Sequence, residues 1–261
     1  MENAIYDTDL TDARRAVLKP LLPGAARRGR PQKDRRNIVS AILYIAKEGC
    51  SRRGLPKDFG PWKTAYHVFR RWRDEGGWKR LCKALRRLVR RQAGKEPAPA
   101  GCILDSQSVK SAPRGGETGC DAGKRIKGRK RHILVDTLGL PLCVHVTPAS
   151  TPEREGGLGL LRRLGGAWHR LRKLWADAGC SGPDFAEKVR GLRERPAVEV
   201  VRRSAGQKGF AVLPRRRVVE RTFGWLMRHR RLARDYERTP ASAEAFIYIA
   251  MIRVQLRRLA R

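Results

Sequence analysis

Acids are scarce in this chain: 25 Asp and Glu stand against 59 Lys and Arg in 261 residues. Carboxylates placed beside apolar runs are therefore informative. Asp105 closes the run Cys102-Ile103-Leu104, and Asp177 closes Leu174-Trp175-Ala176. Glu220 falls in the helical stretch Val218-Val219-Glu220-Arg221-Thr222-Phe223. An acid at the carboxyl end of a buried strand sits where functional groups gather in open sheets. Two such acids on neighbouring strands, and a third from a helix packed across them, can converge. Three carboxylates in one place repel unless a cation neutralises them. Oxygen-only ligands select hard cations such as Mg2+ or Mn2+. Two such ions about 3.5–4 Å apart assist phosphoryl transfer at the attacking and leaving oxygens. Spacing alone equally allows Asp105 and Asp177 as turn formers after strands and Glu220 as a solvated helix acid.

The charge balance names a partner class. A formal net charge of +34 opposes compaction unless a polyanion shares the surface. Nucleic acid is the expected polyanion, bound through phosphate contacts that release counterions. The densest basic run is Lys124-Arg125-Ile126-Lys127-Gly128-Arg129-Lys130-Arg131. Lys124, Lys127, Arg129 and Lys130 are its candidate phosphate contacts, with Gly123 and Gly128 allowing close backbone approach. A solvated loop is the alternative. Arg30, in the basic loop AARRGRPQKDRR, is a further candidate. None of the six Cys has CxxC spacing, so most read as reduced core residues. The N-terminus MENAIYDTDL shows no signal-peptide pattern, and no apolar run approaches the roughly 18 residues of a membrane span. The expectation is a soluble, cytoplasmic protein, associated with the nucleoid when bound to DNA.

The elements that must position these groups follow from periodicity. Residues 1–92 read as helical. Thr11 caps a first helix. Ile38, Ala41, Ile42 and Ile45 mark a second, stopped by Gly49. Pro61 opens a third, and Trp78, Leu81, Cys82, Leu85, Leu88 and Val89 mark a fourth. Short helices joined by basic turns are compatible with a small helix-turn-helix-like DNA-binding domain; a plain helical bundle is the alternative. Residues 93–100, AGKEPAPA, read as a linker. Residues 101–261 then read β-β-β-α-β-α-β-α-α, with strands at Cys102–Leu104, His132–Val135, Leu142–Val146, a run ending in Ala176, and Val198–Val201. Helices fall near 154–170, 183–195, 215–236 and 241–260. This is an α/β arrangement, a mixed sheet flanked by helices. Asp136 reads as a turn former, His132 as no ligand, and Trp62, Trp72 and Trp78 as core. Trp225 reads as packing more readily than as a base-stacking residue.

The stretch DSQSVKSAPRGGETGCDAGKRIKGRKRHILVDTLGLPL, Asp105 to Leu142, resembles the catalytic domain of bacterial insertion-sequence transposases of the DDE class, in the family named after insertion sequence five. The stretches VVERTFGWLMRHRRLARDYERTPASAEAFIYIAMIRVQLRRLAR and LTDARRAVLKPLLP, with GRPQKDRRNIVSAILYIAKEGCSRRGLPKDFGPWKTAYHVFRRW, resemble the same family. The resemblance implies an RNase H-like fold, with Asp105, Asp177 and Glu220 as the catalytic and metal-holding triad. It also implies metal-assisted nicking, attack of the freed 3′ hydroxyl on target DNA, and recognition of terminal inverted repeats in double-stranded DNA; action on two element ends is expected of a homodimer or larger assembly. Cys180 and Cys120 stand where the family writes Tyr. In its Arg-x3-Glu-x6-Lys signature, Arg216 and Glu220 fit and Met227 replaces Lys. At about 100° per residue, Arg216, Met227 and Arg231 share the stripe of Glu220 on one helix, and Arg228 lies about 80° off it. Arg216 and Arg228 are accordingly candidate DNA contacts, with Arg228 a stand-in for the missing Lys.

Overall fold

The computed structural model describes residues 6–23, 35–113, 116–164, 170–180, 183–192, 196–201 and 214–260. Four helices come first: α1 (Asp12–Leu18), α2 (Arg35–Glu48), α3 (Trp62–Asp74) and α4 (Gly77–Gln92). Thr11 caps α1 by accepting from the Arg14 amide. Gly49 ends α2 with φ 73°, a left-handed turn that costs glycine little. Its replacement would also press a Cβ into the backbone at Arg230 and Arg231.

A six-stranded mixed sheet follows, built from β1 (Gly101–Lys110), β2 (Gly119–Asp121), β3 (Ile126–Asp136), β4 (Pro141–Pro148), β5 (Lys173–Ala176) and β6 (Ala197–Val200). Its order is β2-β3-β1-β5-β6, with β4 also paired to β3. β3 runs antiparallel to β1 and β4, whereas β1, β5 and β6 are parallel. The remaining helices are α5 (Glu153–Arg162), α6 (Pro183–Arg190), α7 (Pro214–Met227), α8 (Arg230–Ala233) and α9 (Pro240–Leu259). None of the described helices is long and apolar enough to cross a membrane.

Strand alternation divides the apolar residues between two cores. Ile103, Val135, Val144 and Trp175 point into the larger one, with α4, α7 and α9. Leu104, Leu134, Leu174 and Ala176 point into the smaller one, with Leu160 and Leu161 of α5 and Phe185 of α6. Residues Ala245–Ile252 of α9 are all buried. A helix apolar on every side needs cover on every side, and α1, α2, α3, α4, α7 and β4 all pack against it.

The larger core runs from Leu10 and Leu18 through α2–α4 to the sheet and α9. Among the described residues the packing of 1–92 is therefore continuous with that of 101–261. Buried arginines reinforce the join: Arg86 Nη1 donates to the Pro141 carbonyl at 2.9 Å, and Arg90 Nη1 to Asp136 Oδ2 at 2.8 Å. Asp136 Oδ1 also accepts from the amides of Leu138 and Leu140, holding the β3–β4 turn. Its turn-forming role is thus visible, together with an ion pair to Arg90.

Four expectations need correction. β1 does not end at Asp105 but continues to Lys110. β3 begins not at His132 but at Ile126, so much of the basic run is strand, paired with β1 and β4. The helix expected over 215–236 breaks: α7 stops at Met227, and α8 begins at Arg230 after His229 in extended conformation. Arg231 therefore leaves the Glu220 stripe. It pairs instead with Glu237 at 2.6 Å and donates to the Cys50 carbonyl. The helices expected over 154–170 and 183–195 both stop early, α5 at Arg162 with Arg163 as its cap and α6 at Arg190, while residues 165–169 and 193–195 lie outside the described residues.

Candidate active site

Leu104 of β1 and Ala176 of β5 are paired in parallel register, and each is followed by an aspartate. Adjacent strands lie about 4.8 Å apart, so this pairing sets Asp105 and Asp177 side by side. Asp105 stays within β1, while Asp177 opens the turn after β5, where its Oδ1 accepts from the Gly179 amide at 3.0 Å. The Ser106 amide donates to Asp105 Oδ1 at 2.7 Å. Burial pushes the Asp105 carboxyl up to about 7; the Ser106 amide and Arg216 oppose this, and the charges of Asp177 and Glu153 add to it. Asp177 is raised too, by burial first and by Glu153 next, against Arg216 and the amides of Gly179 and Cys180. The neighbouring Cys180 thiol is pushed up to about 12 by burial and by Asp177, Glu153 and Asp105.

Arg216 and Glu220 come from α7, which packs against β1. They form an i,i+4 pair, Nε to Oε1 at 3.9 Å, and the Glu220 side chain is 58% exposed. Glu220 thus faces Arg216 and solvent, while Arg216 also acts on both aspartates.

Sequence reasoning overlooked Glu153, in the first turn of α5. Its Oε1 accepts from Ser106 Oγ at 2.9 Å and from Lys124 Nζ at 3.2 Å. Its Oε2 lies so close to Gly179 that a Cβ there would collide with it, and the same Cβ would stand 3.2 Å from Asp177 Oδ1. One signal was present, since Glu153 is among only 25 acids. An acid at a helix start has a complete explanation in the helix dipole, and that explanation hid it. Among the described residues, no group of three or more His, Cys, Asp or Glu is arranged to hold a metal ion. Glu220 and Glu153 are each turned to a protein cation instead.

The candidate DNA contacts divide by burial. Lys124 and Lys127 are exposed, beside the β2–β3 turn. That turn is held by Asp121, whose Oδ1 accepts from the Lys124 amide and whose Oδ2 accepts from Ser108 Oγ. Arg129 is wholly buried: it donates to the carbonyls of Glu117, Glu237 and Arg238 and pairs with Asp235. Lys130 is buried as well, donating to the Thr151 carbonyl beside Asp121. The phosphate-contact expectation for Arg129 and Lys130 is therefore corrected, because their heads are enclosed by protein acceptors. Arg228 is exposed, and its carbonyl accepts from Lys47 Nζ at 3.0 Å. Arg30 lies outside the described residues.

Other expectations meet plain packing. His132 is buried and bonded to Thr147 Oγ1. Trp72 and Trp78 are core, and Trp62 is half-buried against it. The guanidinium groups of Arg221 and Arg258 each lie over the Trp225 ring, at 5.1 and 4.5 Å from its centre. All six Cys are free, four of them buried.

The model of the family "Transposase DDE domain" matches residues 96–254, a span holding β1 through most of α9. The chain belongs to the DDE transposases. A second family model, "Putative transposase of IS4/5 family", matches residues 10–82 of this transposase. It is 30% identical over 152 residues to the "Putative transposase for insertion sequence element IS402" of Burkholderia cepacia, covering 56% of this chain and 69% of that one. It is 27% identical over 128 residues to the "Putative transposase for insertion sequence element IS6501" of Brucella ovis, covering 49% of this chain and 98% of that one. No solved structure matches. The transposase is thus an insertion-sequence enzyme acting on DNA, of a family that depends generally on divalent metal.

Proposed function

We propose that this transposase cuts DNA at the terminal inverted repeats of its insertion sequence and joins the freed 3′ ends to target DNA, with Asp105, Asp177 and Glu220 as its catalytic acids. One observation carries the reading: the pairing of Leu104 with Ala176 sets two half-buried aspartates together on parallel strands. The strand order, three antiparallel strands followed by two parallel ones with helices on both faces, supports an RNase H-like fold for 101–261.

The donor set fits a hard divalent cation, Mg2+ or Mn2+. It is all oxygen, and burial raises both aspartates, helped by the charge of Glu153 on each and by that of Asp177 on Asp105. A carboxylate pair that resists ionising alone is the pair a cation neutralises. Two bound ions would polarise the scissile phosphate and offset the charge that develops on it. Asp105 and Asp177 would hold them from the sheet. Glu220 would join from α7 on leaving Arg216, which is thereby freed for phosphate through its fork of donors.

Lys124, Lys127 and Arg228 are the exposed members of the proposed DNA surface, with Arg30 on the N-terminal side. The segment 1–92 contributes to end recognition, its short helices being compatible with a helix-turn-helix-like reader. Two element ends call for a homodimer or larger assembly working in the cytoplasm, on the nucleoid.

The test is nicking and joining of an element-end duplex in Mg2+. Asp105→Asn and Asp177→Asn should each abolish both steps and leave DNA affinity largely intact, since each removes one anionic ligand without adding bulk. Wild-type rates in either variant overturn the assignment. Nicking without joining in the wild-type protein would make it a nuclease on the same scaffold.

A further inference from the structure

We propose that Glu153 is a further carboxylate ligand of the active-site cation, and that Lys124 holds its place until the cation arrives. The inference rests on the metal-dependent reading of Asp105 and Asp177 given above. Two contacts and an electrostatic effect place Glu153 between the segments that bear the two aspartates. Its Oε1 accepts from Ser106 Oγ, next to Asp105, at 2.9 Å. Its Oε2 packs on Gly179, whose amide is bound to Asp177. Its charge acts on both aspartates and on Cys180. Glu220, by contrast, is more than half exposed and turned to Arg216.

Glu153 is half-buried beside two other acids, and what compensates it is the Lys124 ammonium at 3.2 Å. Lys124 is itself exposed, on the turn before β3. An exposed lysine whose ion pair among the described residues is the one with Glu153 is released at little cost, and a divalent cation among three carboxylates outweighs it. Once released, the ammonium stands beside the acids, free for DNA phosphate. Metal and DNA would then favour one another through a single residue. The absence of a side chain at Gly179 has its reason here as well, because any Cβ would push Glu153 away from Asp177.

Mn2+ binding to the DNA-free, full-length protein, followed by electron paramagnetic resonance, tests this without any readout of activity. Glu153→Gln keeps the acceptor for Ser106 and removes the charge; it should weaken Mn2+ binding about tenfold or more, with thermal melting reported alongside. Glu153→Asp, which keeps the charge, should recover part of the loss. Lys124→Met should strengthen Mn2+ binding, because it removes the competing cation, and should weaken DNA binding. Unchanged Mn2+ affinity in Glu153→Gln, with Asp105→Asn and Asp177→Asn impaired, overturns the role of Glu153 and leaves the site reading standing. Unchanged affinity in Asp105→Asn and Asp177→Asn as well overturns both. If Lys124→Met weakened Mn2+ binding, Lys124 would be a positioning residue and the exchange would be wrong.

Discussion

Arg129 Nη1 and Asp235 Oδ2 meet at 3.3 Å with both side chains almost wholly enclosed. The pair joins β3 to the segment between α8 and α9, more than a hundred residues away. Removing one partner of a buried pair strands the other charge, at a cost of about 3–5 kcal/mol. Arg129→Met should therefore lower the unfolding free energy by that amount in a urea titration. Lys127→Met, two residues earlier and exposed, should leave stability unchanged and weaken DNA binding. A stable Arg129→Met protein with impaired DNA binding would return Arg129 to the phosphate surface.

The Asp105 carboxyl makes stability depend on pH in the sense opposite to a salt-bridged acid. Its folded value, about 7, lies above the ordinary 3.8. Between these values the folded protein keeps a proton that the unfolded chain has released. Unfolding then releases protons, so stability falls as pH rises through this window and levels off above about 7. Asp105→Asn removes the effect. In metal-free buffer the variant should melt a few degrees higher than wild type at pH 8, at about 2–4 °C per kcal/mol for a chain of this size. The gap should close below pH 4. Mg2+ should shrink it at pH 8 by stabilising the ionised wild type. Equal melting temperatures across the range would show that Asp105 is not raised.

Gly179 is a sterically required residue on this geometry. Gly179→Ala would place a methyl group against Glu153 and within reach of Asp177 Oδ1. Misplacement by about 1 Å costs up to about 100-fold in rate, so cleavage should fall by about 10–100-fold with DNA affinity unchanged. A fully active alanine variant would mean that the turn after β5 relaxes freely.

The shared core bears on truncation. Trp78, Leu81, Leu85 and Val89 of α4 belong to the same cluster as Phe246, Ile249 and Ile252 of α9. A protein beginning at Ala100 would expose that face of α9 and lose the Arg90–Asp136 pair. It should aggregate or melt without cooperativity, while the full chain unfolds in a single transition. A monomeric, cooperatively folding 100–261 fragment would show that the two segments are independent after all.

The strands and most helices were legible because their signals are local. Leu174-Trp175-Ala176 and Leu142–Val146 are short apolar runs, and Thr11 and Gly49 punctuate helices at each end. β1 beyond Asp105 was not legible: Ser106, Gln107 and Ser108 have no apolar alternation, and their strand state comes from pairing with β3. Arg129, Lys130 and Arg131 were not legible as buried strand because the groups that bury them, the Asp235 carboxylate and the carbonyls of Thr151, Leu232, Glu237 and Arg238, lie far off in sequence. Asp105 and Asp177 stood out through their place after apolar runs, whereas Glu153, beyond being one of the few acids, is marked by three-dimensional contact with Ser106 and Gly179.

The end of α7 supplies the last prediction. Met227 is the final residue of α7 and is 40% exposed, seven residues after Glu220 and so within about 20° of its stripe. Arg228 follows outside the helix, anchored through its carbonyl to Lys47 of α2. Arg231 has left the surface for Glu237, so Arg228 is the cation beside the place where the family writes Lys. Met227→Lys adds a cation in that line and should strengthen binding to the element end, steepening its salt dependence by about one unit of slope. Arg228→Ala should weaken end binding, and more so in the wild-type background than beside Met227→Lys. The four proteins of this double-mutant cycle, compared in end binding and strand transfer, measure the coupling. Simple additivity would show that Arg228 does not substitute for the lysine, and that Met227 lies outside the path of the transferred strand.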